Sequence, residues 1–206
     1  MKQWITILLS ILLCLSLASC QRGPSAEDVG LAMCKLYVHG DTEVASMLSD
    51  WDVAAVRDHM EQDFYHQLYS NLEASGIEDP DETALNEVIS ALMDARKRIP
   101  LKVETVETEK DRVTLQITVG SLDIGEIDAT AAQRALEEIK GRSDLSKEDL
   151  DDLMQAYTEA LKAEFDASDP TEVQTSFTVK FIENEGVWLP EEMNRFIEQL
   201  GQHIRR

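Results

Sequence analysis

The sequence is poor in cysteine and in basic residues, and it lacks every short signature that names a reaction. Its 3 cysteines are Cys14, Cys20 and Cys34. Cys14 lies inside an apolar leader and Cys20 closes it, so Cys34 has no partner in the body of the chain and a disulfide framework is excluded. Lys and Arg number 19 against 40 Asp and Glu, a formal charge of −21. Such a surface repels nucleic-acid phosphates and anionic lipid headgroups alike. It argues against nucleic-acid binding and against a domain lying flat on a membrane. No apolar run reaches the roughly 20 residues that span a bilayer. No Gly-x-Ser-x-Gly, Walker loop, paired-cysteine or dinucleotide pattern occurs. Internal repeats, low-complexity blocks and a Ser-, Gly- or Pro-rich linker are also missing.

What is present begins at the first residue. Lys2 is followed by an apolar run from Trp4 to Leu17, interrupted by Thr6, Ser10 and Ser16, and then by small residues. This is the layout of a secretory signal. Leu17-Ala18-Ser19-Cys20 resembles the lipobox of bacterial lipoproteins. The resemblance implies cleavage before Cys20 and a diacylglycerol on its sulfur. The competing readings are a single membrane helix, for which the run is short and lacks a stop-transfer cluster, and cleavage without acylation. Loss of residues 1–19 removes one charge, Lys2, and takes −21 to −22. One acyl chain binds a membrane marginally and two bind stably, so a diacylated Cys20 anchors without a spanning helix. Residues 20–24 are then the whole tether, and at about 3.5 Å per residue they hold the domain roughly 15–20 Å from its lipid.

The remaining chain, 25–206, is expected to be a single domain. Ser25 and Asp28 announce a first helix, ended by Gly40-Asp41. Apolar residues on two of its sides (Val29, Met33, Leu36 and Tyr37; Leu31, Cys34 and Val38) predict a central, buried helix. Thr42 to Leu48 reads as a short helix. Val53, Val56, Met60, Phe64, Leu68 and Leu72 mark a long one, closed by Gly76 and Pro80. Leu85, Val88, Ile89, Leu92 and Met93 mark another, ending near Ile99-Pro100. The period then changes to two. Strands are predicted near 101–107, 112–120, 172–182 and 187–189, with Val113, Leu115, Ile117 and Val119 on one inward face and Val173, Thr175, Phe177, Val179 and Phe181 on another. Between them the chain is helical from Ala129 to Lys140 and from Ser146 to Asp166. Pro190 with Glu191 and Glu192 is expected to open a last helix bearing Met193, Phe196, Ile197, Leu200 and Ile204. The order predicts an α+β fold: N-terminal helices, then a small antiparallel sheet with a helical insertion, then a C-terminal helix.

The lipobox followed at once by a helix, the strand Arg112 to Val119, and the closing hairpin Phe177 to Trp188 with its Gly186-Val187-Trp188 turn together resemble small bacterial lipoproteins. Those lipoproteins carry an NTF2-like, cystatin-related domain. The resemblance implies that fold. The helical pair at about 126–168 is larger than a minimal domain of that class needs. Enzymes and non-catalytic modules both occur on such folds, so no reaction is carried over.

Candidate chemistry is sparse. His59, Asp63 and His66 share a helix face, but two histidines and one carboxylate lack a fourth ligand and the spacing of zinc motifs. They read as a polar face. His39 sits at a helix end, where the dipole alone favours it. Asp79, Asp81 and Glu82, and Asp149, Asp151 and Asp152, lack the glycine and ligand spacing of a calcium loop and read as helix starts. Cys34 reads as a small buried hydrophobe. Arg96-Lys97-Arg98 and Arg205-Arg206 both end helices, and a small-anion site is the one binding role they leave open. Trp51, Tyr65, Tyr69 and Trp188 read as core rather than pocket. The expectation is a lipid-anchored, extracytoplasmic envelope lipoprotein, membrane-bound through Cys20. It would act as a non-catalytic binding or structural module for an envelope protein or small molecule, with no catalytic, cofactor or metal residues. The alternative is an envelope hydrolase using His59 or His39 with a carboxylate.

Overall fold

A computed structural model describes residues 23–48, 51–74, 80–138, 140, 147–170 and 173–205. Helix α1 (Ala26–His39) starts where Ser25 and Asp28 exchange hydrogen bonds. The Asp28 N–H donates to Ser25 Oγ at 3.2 Å, and the Ser25 N–H donates to the Asp28 carboxylate at 3.0 Å. This capping box satisfies two N–H groups that the helix leaves open. The helix stops at Gly40, whose φ of 64° is left-handed and suits glycine; its N–H donates to the Leu36 carbonyl at 3.0 Å. Val29, Met33, Leu36, Cys34 and Val38 are all buried, as apolar residues on two sides require.

A short 3-10 turn, Glu43–Ser46, leads to α2 (Val53–Ala74) and α3 (Glu82–Lys97). The strands β1 (Leu101–Thr108), β2 (Arg112–Gly120), β3 (Gln174–Asn184) and β4 (Val187–Pro190) form one sheet in the order β1-β2-β3-β4, with every pairing antiparallel. Helices α4 (Ile124–Glu138) and α5 (Lys147–Ala167) are inserted between β2 and β3, and α6 (Met193–Ile204) follows the sheet. The fold is α+β.

The period-two pattern sets the register. Val113, Leu115 and Ile117 stand opposite Phe181, Val179 and Phe177, and all six are buried. A one-residue slip would turn this set to solvent. The inner face packs on α1 and α6, where Phe181 meets Phe196 edge-on at 6.2 Å. Gly120 closes β2 under a tight turn: a Cβ there would lie 2.2 Å from the Pro170 carbonyl oxygen and 2.6 Å from Pro100 Cδ. At the β1 edge, the Glu27 carboxylate of α1 accepts from the Thr105 N–H at 3.0 Å, occupying an edge donor that would otherwise invite another strand. A bulge between Thr105 and Glu107 turns Val106 outward.

Two local expectations are corrected. Pro190 does not open the last helix: it ends β4 opposite Phe181, and α6 begins at Met193. A proline lacks the N–H of a central strand, but the end of an edge strand tolerates that loss. The first inserted helix begins at Ile124 rather than Ala129. Asp123 accepts from the Glu126 N–H at 2.9 Å and starts it early, so a helix can include Gly125 despite its low propensity.

Candidate functional site

Arg96 lies in the last turn of α3, where a solvated cation is expected. It is instead turned inward and only 5% exposed. Its Nε donates to the Val38 carbonyl at 2.9 Å, and one Nη donates to the Tyr37 carbonyl at 2.5 Å. These are carbonyls of the last turn of α1, which has no helical N–H to offer them. The guanidinium carbon sits 5.0 Å from the centre of the Phe64 ring on α2. A second guanidinium, that of Arg205 after α6, lies 5.7 Å from the same ring. Among the described residues no carboxylate forms an ion pair with either arginine. Burial, and then the neighbouring Arg205, pull the Arg96 pKa down to about 10, which leaves it cationic at neutral pH.

The two cations face a cleft of about 140 Å³. Tyr37, Phe64, Ile197 and Leu200 give it an apolar lining, and Asp63 and Gln67 also border it. Gly201 of α6 forms part of its wall. A larger groove of about 490 Å³ runs between α2 and α3, but both of its cations are already paired: Arg57 with Glu61 at 2.8 Å and Lys97 with Asp94 at 2.7 Å. A third hollow, between α4 and α5, is lined by Asp123, Glu126 and Glu164, with Glu164 held by Arg134 at 2.5 Å.

The residues singled out in the sequence are scattered. His59 and Asp63 approach to 3.5 Å on open surface, with side chains 76% and 67% exposed. His66 is exposed beside the edge of Tyr65. His39 is half-buried, and its Nε2 lies 2.8 Å from the Ile99 carbonyl, which only an N–H can satisfy. Burial lowers its pKa more than the Ile99 bond and Asp41 raise it, so the dipole does not govern this residue. Cys34 is fully buried and its thiol is pushed up to about 12 by burial, which makes it inert. Asp81 caps α3, accepting from the Thr83 N–H at 2.7 Å. Asp151 and Asp152 are exposed on α5; Asp79 lies outside the described residues. The aromatics do not share a pocket. Trp51 packs edge-on against Tyr37, Tyr65 stacks on Tyr69, and Trp188 is half-buried against the main core. Cys20 lies outside the described residues. Sequence reasoning did not join Phe64, Gly201 and the two arginines. Phe64 reads there as one member of an apolar stripe, and no local pattern links residues that distant in the chain.

The fold has a solved counterpart. It is similar to the crystal structure of a "putative lipoprotein (ycdA)" from Bacillus subtilis, with a TM-score of 0.63 and 16% identity. The match covers 92% of this chain and 59% of that one, so this chain spans less than two thirds of the Bacillus protein's length. At that identity the likeness shows the fold alone. No family model matches the sequence, and no curated protein matches it either. No helix among the described residues is long and apolar enough to cross a membrane.

Proposed function

We propose that this protein is a lipid-anchored, extracytoplasmic lipoprotein of the cell envelope whose domain binds a ligand without catalysis. The anchoring rests on one observation, Leu17-Ala18-Ser19-Cys20 directly after the apolar leader. Residues 1–19 would be a cleaved signal peptide and Cys20 the acylated first residue. The fold shared with the "putative lipoprotein (ycdA)" of Bacillus subtilis is in keeping with this. The packing of α1 on an antiparallel meander supports the finer reading of the domain, residues 25–206, as NTF2-like and cystatin-related. The tether enters at the start of α1, and the arginine cleft lies at its other end. A helix of 14 residues puts these about 21 Å apart, so in this reading the cleft stands clear of the point where the tether joins the domain.

Two cations without an ion-pairing acid, beside an apolar lining, support binding over a purely structural role. The hydrolase alternative needs a histidine and a carboxylate converging in a cavity. Asp63 stands at the exposed rim of the cleft, but no histidine lines the cleft with it: His59 is on open surface and His39 is committed to Ile99. The test of anchoring is membrane fractionation with mass spectrometry. The parent should partition with membranes and carry a diacylglycerol on Cys20, and Cys20→Ala should be released or left unprocessed. An unmodified Cys20 in the membrane fraction removes the anchoring.

A further inference from the structure

We propose that the cleft between α2, α6 and the ends of α1 and α3 binds a small monocarboxylate with a short apolar body, its carboxylate held between Arg96 and Arg205. The proposal deepens the ligand-binding reading above and rests on it.

The charge pattern comes first. Two guanidiniums approach one ring, at 5.0 and 5.7 Å from its centre, with no ion-pairing acid among the described residues. Like charges so placed repel, and an anion between them turns that repulsion into two attractions. Arg96 is already oriented. A guanidinium has five N–H donors. Two of them are spent on the Tyr37 and Val38 carbonyls, and no other described group accepts from the rest. An immobilised, largely desolvated fork of donors is the group that recognises a planar carboxylate.

Size and lining give the rest of the ligand. The volume of about 140 Å³ is close to the roughly 150 Å³ of an apolar cavity that accepts benzene. Tyr37, Phe64, Ile197 and Leu200 suit an apolar body. Asp63 beside the cleft, and a chain at −21, disfavour an anion with more than one charge.

Gly201 supplies an independent observation. It lies inside α6 with no left-handed φ, and a Cβ on it would meet no atom within 4 Å. Neither a turn nor close packing requires glycine there, although glycine inside a helix costs about 1 kcal/mol relative to alanine. Gly201 borders the cleft, so a larger side chain at this position tests whether its wall must stay open.

The test is calorimetric titration of the full-length protein in detergent with three probes: benzoate, neutral benzamide and inorganic phosphate. Benzoate should bind saturably at one site, with benzamide and phosphate at least about tenfold weaker. Arg205→Gln should weaken benzoate by about tenfold or more, since the charge it removes lies at the cleft and not in the core. Gly201→Leu should abolish benzoate binding with the melting temperature at or above that of the parent. If leucine unfolds the chain, Gly201→Ala, which adds one methyl group in open space, should still weaken binding. Equal binding of benzoate and benzamide, tighter binding of phosphate, or unchanged benzoate affinity in Arg205→Gln would each overturn the assignment. The two readings fail separately. Benzoate bound by a chain whose Cys20 is unmodified supports the site and removes the anchor. An acylated chain that ignores benzoate removes the site and keeps the anchor.

Discussion

Three consecutive cations end α3, and each meets a different fate. Arg96 turns into the protein and serves the open carbonyls of α1. Lys97 turns out and pairs with Asp94 at 2.7 Å. Arg98 crosses to the end of α5 and donates to the Phe165 carbonyl at 2.5 Å. Successive residues on a helix point about 100° apart, so adjacent identical charges are sent to different surroundings. His39 shows the same dominance of surroundings over local rule. Its folded pKa is lowered by burial, against the Ile99 bond and Asp41 and with help from Lys35 and Arg96. A depressed pKa means that the unfolded chain takes up the proton first. The His39 contribution is therefore fully present above the unfolded value, near 6.5, and is lost as pH falls from there through the folded value. Denaturant midpoints should drop as pH is lowered from about 7.5 to about 5.5. His39→Gln, which keeps a neutral donor for Ile99, should flatten that part of the profile. An unchanged slope in the variant would show that other groups cause it.

At the scale of elements, the sheet is held by the paired inner faces of β2 and β3. Ile117 is fully buried opposite Phe177, and its replacement by Asp places an unpaired charge in the core. Ile117→Asp should unfold the domain at room temperature, as read by circular dichroism. Trp188 is a milder case. It lies on the short strand β4 opposite Glu183 and is only half-buried against the core. Truncation of a fully buried tryptophan costs about 3–5 kcal/mol, and the partial exposure of Trp188 reduces this to about 2–3 kcal/mol for Trp188→Ala. A folded variant with a modestly lowered melting temperature is expected. A loss as large as that of Ile117→Asp would mean that Trp188 holds the hairpin register and not merely the surface of the core.

At the scale of the molecule, one cluster of buried side chains runs from α1 through the sheet to α3, α4, α5 and α6. The inserted pair is tied to the rest by Lys162 of α5, which pairs with Glu87 of α3, and by a small satellite core of Leu72, Leu85 and Met154. Residues 25–206 should therefore unfold in one transition, with calorimetric and van't Hoff enthalpies equal. A separate early transition would assign α4 and α5 to an independent unit. The charge of −21 adds a second expectation. Self-repulsion destabilises the compact state, and salt screens it as the Debye length falls from about 30 Å at 0.01 M to about 8 Å at 0.15 M. The melting temperature should rise over that range, and a constant value would mean that the acidic surface is already balanced locally.

Much of the architecture is legible along the chain itself. Periods of 3.6 and 2 are set by which side chains must avoid water, and they mark the helices, the strands and the inward faces of β2 and β3 without knowledge of their neighbours. Ser25, Gly40 and Asp81 act within a few residues of themselves, so they too could be read in place. Pro190 could not, because strand end and helix start both accept a proline and only the pairing with Phe181 decides between them. Nor could the cleft. Arg96 and Arg205 each look like ordinary helix-end cations, and Phe64 like one more apolar residue. Their meeting requires α2, α3 and α6 to converge beside the end of α1. Local chemistry is written along the chain, whereas a site made of side chains from four helices exists only once packing has brought those helices together.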